Sequence, residues 1–549
     1  MTSATLLRAA ALGCFCWAAT IAQPVSAPAV PRLEKRGEST QLMVDGKPFL
    51  VLSGEWGNPT ATTLENLQPL WDEARQLHLN TITPALYWSQ LEPVEGKFDF
   101  SLVDGMIQEA RRHDLRIAFV WFGSWKNSTS SYAPDWVKTD TKRFPRAMIG
   151  GGRPHETFSI FGEATREADA KAFRALMRHI REVEGGRQTV IMMQVNNEVG
   201  FRGDSRDHSP LADAAFAKPV PKELMDYLQK NKEVLMPELR SAWSAGGYKT
   251  TGGWEEVFGK GEYTDEIFMA WHYARYNDQV AAAGKAEIPL PMWVNVWLIR
   301  PDYRPGQYPS GGAVPKVHDI WKAGAPHIEM LSPDNGGTGQ HKYWWNLFTY
   351  PRNPFFVPET GGGALGAATV FYAVGHLNAI GYEPFGIERD KPGSPLGRSY
   401  DVISQLAPTI LEARVKGKGW VDGVWFDSLT RELQLDLGDY RLEVTPAVAG
   451  RAPDQVPAPQ ESTPDSSGIF VAVAADEFYM AGSGLTVNFV PRTPGAPNTG
   501  FTTYEDGHFV DGRWVRGLQQ AAGDDIFRKA MATLPGRTPA IVHVKIYRF

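Results

Sequence analysis

Short apolar runs alternate with amphipathic stretches along most of the first 416 residues. The runs have the length of buried strands, and the stretches between them carry apolar residues at helical spacing. Eight strand–helix units can be counted, with strands at Phe49–Ser53, Asn80–Leu86, Arg116–Phe122, Val190–Val195, Met292–Trp297, His327–Leu331, Phe355–Val357 and Ile380–Pro384. This repeat predicts an α/β fold, a (β/α)8 TIM barrel over residues 41–416.

The helices expected between these strands follow from the same periodicity. They are Leu64–His78, Leu102–His113, Ala164–Val183, Lys222–Leu239, Asp265–Ala283, Val314–Ala323, Gly366–Leu377 and Tyr400–Lys416. After Gly417 the helical pattern is scarce, and short strand-like runs are separated by polar or Gly/Pro-rich stretches. Residues 417–549 are therefore predicted to form a β-rich, sandwich-like accessory domain, with a Pro/Ala/Ser-rich loop around residues 450–467.

The first residues resemble an export signal. Arg8 precedes the apolar run Ala9–Ala22, which is too short to span a bilayer. We expect a signal peptide over residues 1–22, a flexible leader over 23–40, and a periplasmic or extracellular mature protein without a membrane span. Leu12–Cys14 leaves a lipoprotein signal as the alternative. Both cysteines, Cys14 and Cys16, lie in the signal, so the mature chain has no disulfide, thiolate metal site or cysteine nucleophile.

Length and charge narrow the class of protein. The 549 residues suit a large barrel with an appended domain, and the hydrophobic fraction of 43% is that of a globular protein. Acidic residues outnumber basic ones by 62 to 56, which gives a net charge of −6. This balance argues against nucleic acid as a partner.

Two glutamates follow predicted barrel strands. Strand four leads into Asn196-Asn197-Glu198, and strand seven leads into Glu359 and the glycine-rich Gly361–Gly363. The carboxyl ends of barrel strands form the rim on which active sites lie. A pair of carboxylates there is the minimum equipment of a glycosidase. Glu198 is expected to have a raised pKa and Glu359 a low one, and Asn197 is placed to hold a sugar 2-hydroxyl.

Several motifs resemble glycoside hydrolase family 35, the β-galactosidases. They are Asp45–Phe49, Leu52–Glu55, Asn80–Ile82, Trp88, Glu92-Pro93, Gly96–Phe100 and Gln194–Gly200. Tyr87–Pro93 and Ala133–Trp136 look at least as much like family 42, the related bacterial β-galactosidases. The resemblance implies a retaining barrel enzyme with Glu198 as acid/base and Glu359 as nucleophile.

The chain departs from family 35 among the sugar contacts. Ala85 stands where that family usually has a Tyr, Gly57-Asn58 where it has a His-Tyr pair, and Ser89–Leu91 where it has Asn-Xaa-His. Trp121–Asn127 also lacks the usual Ala-Glu-Trp segment. The reaction type is therefore better determined than the sugar, and β-glucosidase or α-L-arabinopyranosidase activity stays an alternative.

The resulting prediction is an exported, retaining exo-β-glycosidase. A β-galactosidase that releases terminal galactose from plant-polysaccharide-derived oligosaccharides fits the resemblance, as a homodimer or homotrimer; the alternative of another class is a non-catalytic sugar-binding protein. No cofactor is expected, and no metal, because the histidines lack ligand-type spacing. Further substrate contacts are predicted at strand ends and in the motifs, namely Glu55, Trp88, Trp125, Asn127, Asn295, Asp334, Asn335 and Tyr382, with barrel packing as the alternative for each tryptophan.

Overall fold

The first 416 residues are built around a curled sheet of eight parallel strand positions. This is a computed structural model that describes residue 1 and residues 30–549, except 298, 300, 301, 336–340, 351, 428, 429, 448–465, 520–529, 535 and 537, with the backbone alone at 335 and 341. The predicted signal peptide and both cysteines lie outside this part. In chain order the barrel strands one to eight are Val51–Leu52, Thr81–Ile82 with Ala85–Tyr87, Arg116–Phe122, Val190–Val195, Met292–Val296, Met330–Asn335, Val357–Thr360 and Gly381–Pro384.

Neighbouring strands in the chain are neighbours in the sheet, and the sheet closes on itself. Strand eight pairs in parallel with strand one, Gly381 opposite Val51. Beyond strand one, Glu55 forms parallel bridges to Thr83 on one side and Phe385 on the other. The predicted TIM-barrel fold is confirmed. Its interior near the strand starts is filled by large apolar side chains, among them Val120, Ile191, Trp293 and Phe356.

Helices surround this sheet. Those between or after the barrel strands are Leu64–Leu67, Leu70–Gln76, Ser101–Arg112, Glu163–Glu184, Glu262–Lys285, His318–Gly324, His341–Phe348, Gly363–Gly375 and Pro395–Lys416. Shorter α-helices lie in the loops at Trp88–Leu91, Asp135–Thr139, Pro210–Phe216, Lys222–Lys230, Pro237–Ala245 and Trp254–Phe258. Four 3-10 turns occur in the described residues, at Thr60–Thr62, Lys232–Val234, Pro315–Val317 and Ile387–Arg389.

Two predicted helices are divided in the structure, each at a proline. The helix expected over Leu64–His78 is two helices with Pro69 between them. The helix expected over Lys222–Leu239 stops at Lys230, and a new one begins with Pro237 in its first turn. Proline has no N–H to continue a helix but fits the first turn of one. The helical periodicity predicted for these two stretches is therefore correct, whereas the prediction of one continuous helix in each is wrong.

A small antiparallel sheet precedes the barrel and covers its bottom. Its strands are Arg32–Arg36, Ser39–Val44 and Lys47–Phe49, and a second hairpin, Arg146–Ile149 with Arg153–Phe158, lies in the loop after strand three. Leu42 and Val44 pack into the apolar interior at the strand starts. The flexible leader was predicted over residues 23–40. Within it, Arg32–Arg36 is a strand that pairs with Ser39–Val44, and Leu33 lies opposite Leu42.

The C-terminal part consists of two antiparallel sheets. One contains Val421–Trp425, Ser467–Ala474, Glu477–Ser483, Ala540–Arg548, Thr499–Val510 and Arg513–Gln519; the other contains Leu433–Leu437, Tyr440–Pro446, Leu485–Pro491 and Met531–Leu534. An apolar core lies between them. The first strand packs closely on helix Gly363–Gly375, where a Cβ at Gly375 would meet the Cα of Gly423 at 2.6 Å. Among the described helices, none combines the length and apolar character needed to cross a membrane.

Candidate active site

The backbone turns sharply where strand four ends. Asn196 and Glu198 have positive φ values of 58° and 44°, a conformation that non-glycine residues rarely adopt. The Asn196 side chain holds the turn, because its Oδ1 accepts from the Trp125 amide at 3.2 Å and its Nδ2 donates to Asn277 Oδ1 at 2.9 Å. Strain kept in place by such contacts is typical of functional sites.

Two side-chain contacts fix the position of Glu198. Its backbone N–H donates to Asn295 Oδ1 at 2.9 Å, and its carbonyl accepts from Ser128 Oγ at 2.9 Å. Asn295 belongs to strand five, so the turn after strand four is attached to its neighbour in the sheet. Glu198 is only 9% exposed.

Three carboxyl groups meet at this rim. Asp334 near the end of strand six pairs in register with Glu359 on strand seven. One oxygen from each of Glu198, Asp334 and Glu359 lies within 4.8 Å of the other two. Among the described residues this is the one acidic group whose spacing could also suit a cation, but no histidine, cysteine or fourth carboxylate completes a metal-ligand set.

Two further carboxyl groups lie around the trio. Glu55 follows strand one and is 2% exposed, and its Oε1 has no hydrogen-bond partner in the described chain. Glu383 on strand eight is fully buried, and its Oε2 accepts from Thr83 Oγ1 at 2.6 Å. Burial raises the pKa of Glu383 to about 8 and that of Glu55 well above its usual value, the latter further raised by the charge of Glu359. Burial therefore favours the protonated form of both groups.

Lys126 provides positive charge beside these acids. It follows strand three, is 4% exposed, and its Nζ donates to Asn197 Oδ1 at 3.0 Å and to Asn127 Oδ1 at 2.6 Å. Its charge acts to lower the pKa of Glu198 and of Glu359. Asn197 Nδ2 is buried and, within the described residues, has no acceptor, so it is available to a ligand.

Burial is the main influence on the trio's protonation. It raises the pKa of Glu198, and it raises the pKa of Asp334 well above the usual range, with the charges of Glu359 and Glu198 acting in the same direction. Burial and then the charge of Glu198 raise the pKa of Glu359 to about 7. The expectation of a low pKa for Glu359 is therefore wrong: its Oε2 is buried and accepts no hydrogen bond from the described chain.

The structure brings six of the predicted residues together. Besides Glu198 and Glu359 they are Asn197, Glu55, Asn295 and Asp334, contributed by five different strand ends. Asn127 is close in the chain but exposed, and its Oδ1 accepts from Lys126. The side chain of Asn335 lies outside the described part of the chain.

The structure places three other predicted contacts elsewhere. Trp88 is fully buried, with its Nε1 donating to Glu92 at 2.8 Å, and Trp125 is fully buried, with its Nε1 donating to Thr157 at 2.9 Å. The Tyr382 hydroxyl is 2.7 Å from Thr369 Oγ1 on helix Gly363–Gly375. These side chains pack in the core or between sheet and helix, and the predictions that they contact a ligand are corrected accordingly.

Lys126 was missing from the predicted site, whereas Glu383, next to the predicted Tyr382, closes strand eight and is expected from the sequence to reach the sugar as well. Strand residues alternate between the two faces of the sheet, so Tyr382 facing a helix requires Glu383 to face the barrel interior. Lys126 follows the apolar strand Arg116–Phe122 and the Gly-Ser-Trp turn after it. A lysine directly after a buried strand lies at the barrel rim, and its position in the sequence could have indicated that. Trp297, after strand five, is half-buried, with the guanidinium of Arg202 4.6 Å from its ring centre.

Comparison with known families supports a glycoside hydrolase. A family model described as Beta-galactosidase, of glycoside hydrolase family 42, matches residues 58–259, and a domain of unknown function, DUF5597, matches residues 396–531. The first match contains Glu198 and ends before Glu359. Of the two resemblances seen in the sequence, family 42 is supported and family 35 is not.

Two curated relatives align with part of this chain. A Beta-galactosidase of Xanthomonas manihotis is 31% identical over 188 residues, which are 32% of this chain and 28% of the relative. Beta-galactosidase GalA of Bacillus licheniformis is 25% identical over 170 residues, 30% of this chain and 22% of the relative. The aligned region thus spans about a quarter of the length of these relatives.

Solved structures of β-galactosidases are similar to part of this chain. The enzyme of Rahnella sp. R3 has a TM-score of 0.44 at 17% identity, covering 65% of this chain and 56% of the other. That of Bacillus circulans sp. alkalophilus has a TM-score of 0.45 at 13% identity, covering 66% and 57%.

Proposed function

We propose that the protein is a retaining exo-β-glycosidase that acts as a β-galactosidase. The observation that carries this proposal is the spacing of Glu198 and Glu359, whose nearest oxygens lie within 4.8 Å of each other on the rim of the barrel. Retaining glycosidases hold their two carboxyl groups about 5–5.5 Å apart, whereas inverting enzymes need about 6.5–9.5 Å to admit a water molecule. The shorter spacing favours direct attack by a carboxylate.

In the proposed reaction Glu359 attacks the anomeric carbon. The bond from that carbon to the leaving oxygen breaks, a glycosyl ester with Glu359 forms, and Glu198 gives a proton to the leaving oxygen. Glu198 then takes a proton from water, whose oxygen attacks the same carbon and releases Glu359. The assignment of roles follows the position of Glu198 after Asn197 at strand four and of Glu359 at strand seven.

Neighbouring polar groups are suited to sugar hydroxyls. Asn197 Nδ2 is a buried donor without an acceptor in the described chain, which suits the 2-hydroxyl next to the reacting carbon. Glu55 and Glu383 each present a buried Oε1 without a partner there, and a carboxyl group accepts a hydrogen bond from a sugar hydroxyl or, when protonated, donates one. A ligand that satisfies such groups is strongly selected over one that leaves them unpaired.

Galactose is proposed as the sugar because the matching family model and both relatives are described as β-galactosidases. Oligosaccharides from plant polysaccharides as substrates, export to the periplasm or cell exterior, and a homodimeric or homotrimeric assembly stay predictions from the sequence. Light scattering of the purified protein tests the assembly.

The first experiment is a panel of 4-nitrophenyl β-D-galactoside, β-D-glucoside, β-D-fucoside and α-L-arabinopyranoside. We expect the highest kcat/KM on the galactoside, and a preference for the glucoside or arabinopyranoside would replace the proposed sugar. Glu359→Gln should abolish turnover while the protein stays folded, and exposed Glu65→Gln is the matched control. Full activity of Glu359→Gln would refute the mechanism. Sugar binding without turnover by the wild type would indicate a binding protein.

A further inference from the structure

A third carboxyl group lies beside the two that the proposed reaction uses. Asp334 is 4% exposed, and one of its oxygens lies within 4.8 Å of oxygens of both Glu198 and Glu359. A two-carboxylate mechanism needs no third acid at this place. Unpaired negative charges at this spacing would repel strongly in a buried site. The presence of a third carboxyl group at Asp334 therefore needs a physical explanation.

Asn295 fixes the distance between Asp334 and Glu198. Its Oδ1 accepts from the backbone N–H of Glu198 at 2.9 Å, and its Nδ2 donates to Asp334 Oδ2 at 2.8 Å. One amide therefore binds both acidic residues, and the backbone of Glu198 is in the left-handed region. The arrangement connects three neighbouring strands.

Asn295 does not contact the other carboxyl oxygen of Asp334. This atom, Oδ1, is buried and accepts no hydrogen bond from any N–H or hydroxyl group of the described chain. One oxygen each of Asp334 and Glu198 lie within 4.8 Å of one another, and a hydrogen bond between the two side chains influences the pKa of both. Two carboxyl groups form a hydrogen bond only if one of them carries a proton, and two close carboxyls that cannot both ionise share one.

We propose that Glu198 and Asp334 act as one proton-sharing pair, in which Asp334 is a positioning residue that holds the acid/base proton for Glu198. The proposal rests on the proposed glycosidase function and deepens it. In the first step the shared proton passes through Glu198 to the leaving oxygen. In the second step the pair recovers one proton from the attacking water.

Charge balance supports this assignment. Before reaction the ionised Glu359 and the singly protonated pair together carry two negative charges. When Glu359 forms the glycosyl ester it loses its charge, and the pair, having given its proton to the leaving group, carries two. The total charge in the buried trio is unchanged through both steps, so the transfer needs no counter-charge from solvent.

Several charged or titratable groups of the described chain influence the pair. They come from the rims of strands one, three, four and seven and are Glu55, Lys126, Arg202 and Glu359. Burial raises the pKa of Glu55 and so favours its neutral form, which reduces the repulsion between Glu55 and the pair. Lys126 and Arg202 both favour negative charge on Glu198. Burial opposes these two cations and is the main reason why the pair retains a proton, and the charges of Glu359 and Glu198 further raise the pKa of Asp334.

The test is Asp334→Asn, which keeps the size of the side chain and its contact with Asn295 but removes the shared proton. Glu198 without an acidic partner releases its proton at lower pH than the pair releases the proton that it shares. The basic limb of the plot of kcat/KM against pH should therefore move to lower pH by about one unit or more. At pH 8 the loss of kcat/KM should be several times larger for aryl galactosides with poor leaving groups than for the 2,4-dinitrophenyl galactoside, which needs no acid.

Ser332→Ala is the matched control, since Ser332 is buried on the same strand two residues earlier and its Oγ has no partner in the described chain. It should leave the pH profile and the leaving-group dependence unchanged. An Asp334→Asn enzyme with an unmoved basic limb and an equal loss on all leaving groups would overturn the proposal while leaving the glycosidase function intact. Absence of turnover by the wild type on every glycoside would instead refute the function.

A second measurement, infrared spectroscopy, detects the shared proton without enzymatic turnover. The infrared difference spectrum at pH 7 between unlabelled wild type and wild type with ¹³C-labelled aspartate should contain the C=O stretch of a protonated carboxyl, and Glu198→Gln should move the frequency of that band, because the partner of Asp334 is then an amide. If Asp334→Asn does not fold, this spectrum decides the question. Absence of any protonated-carboxyl band in the difference would contradict the shared proton.

Discussion

Replacing Glu198 by Gln should change the ionisation of Glu359 in a defined direction. The pKa of Glu359 is raised from 4.5 to about 7 by burial first and by the charge of Glu198 second. Glutamine has the size of glutamate without its charge, so the contribution of the Glu198 charge to the pKa of Glu359 is lost in that variant. The net charge facing Glu359 therefore becomes less negative, which favours ionised Glu359, so its pKa must fall.

The spacing of the two groups limits the size of this effect. Unit charges 4.8 Å apart interact by about 3.5 kcal/mol at an effective dielectric constant of ~20, equivalent to about 2.5 pKa units. Burial is the larger cause and is unaffected by the substitution, so we expect a fall of roughly one to two units. The pKa of Glu359 in Glu198→Gln should then lie between about 5 and 6.

The assay is the pH dependence of kcat/KM for 2,4-dinitrophenyl β-D-galactoside, whose leaving group departs without a proton. The acid limb of this profile reports the ionisation of the nucleophile in the free enzyme. We expect the limb near pH 7 in the wild type and at lower pH in Glu198→Gln, with added azide restoring turnover of the accumulated glycosyl-enzyme. An acid limb that stays in place or moves upward would refute the electrostatic coupling of Glu198 and Glu359.

Three further predictions test the surroundings of the trio. Lys126→Met removes a cation that lowers the pKa of Glu359, so the acid limb should move to higher pH, and an unchanged limb in the same assay would contradict the role of that charge. Trp88→Phe leaves buried Glu92 without its indole donor, so the free energy of unfolding measured by chemical denaturation should fall by about 1.5–3 kcal/mol while KM is unchanged. A raised KM would show that Trp88 contacts the substrate after all. Prolonged treatment with EDTA should leave galactoside hydrolysis unchanged, because a proton and Lys126 already offset the charge of the trio; recovery by added Ca²⁺ or Mg²⁺ after a loss would show a metal requirement.

The sequence determined the elements that depend on local pattern. Apolar runs of strand length and the helical spacing between them are set by the chemistry of residues close in the chain. They were enough to predict the eight-stranded barrel and to associate Glu198 with the end of strand four and Glu359 with strand seven. The prolines at 69 and 237 interrupt helices for an equally local reason, although the periodicity hid it.

Only the tertiary structure decided which side chains face one another. Which of Tyr382 and Glu383 has its side chain in the barrel interior depends on the register of a short strand against both of its neighbours. Trp88 and Trp125 resemble sugar-stacking residues in the sequence, and only their buried hydrogen-bond partners show that they belong to the core. The proximity of Asp334 to Glu198 and the raised pKa of Glu359 arise from groups that are more than 100 residues apart in the chain. Burial and charge separation are properties of three-dimensional distance, and for that reason the candidate residues could be named from the sequence while their protonation could not.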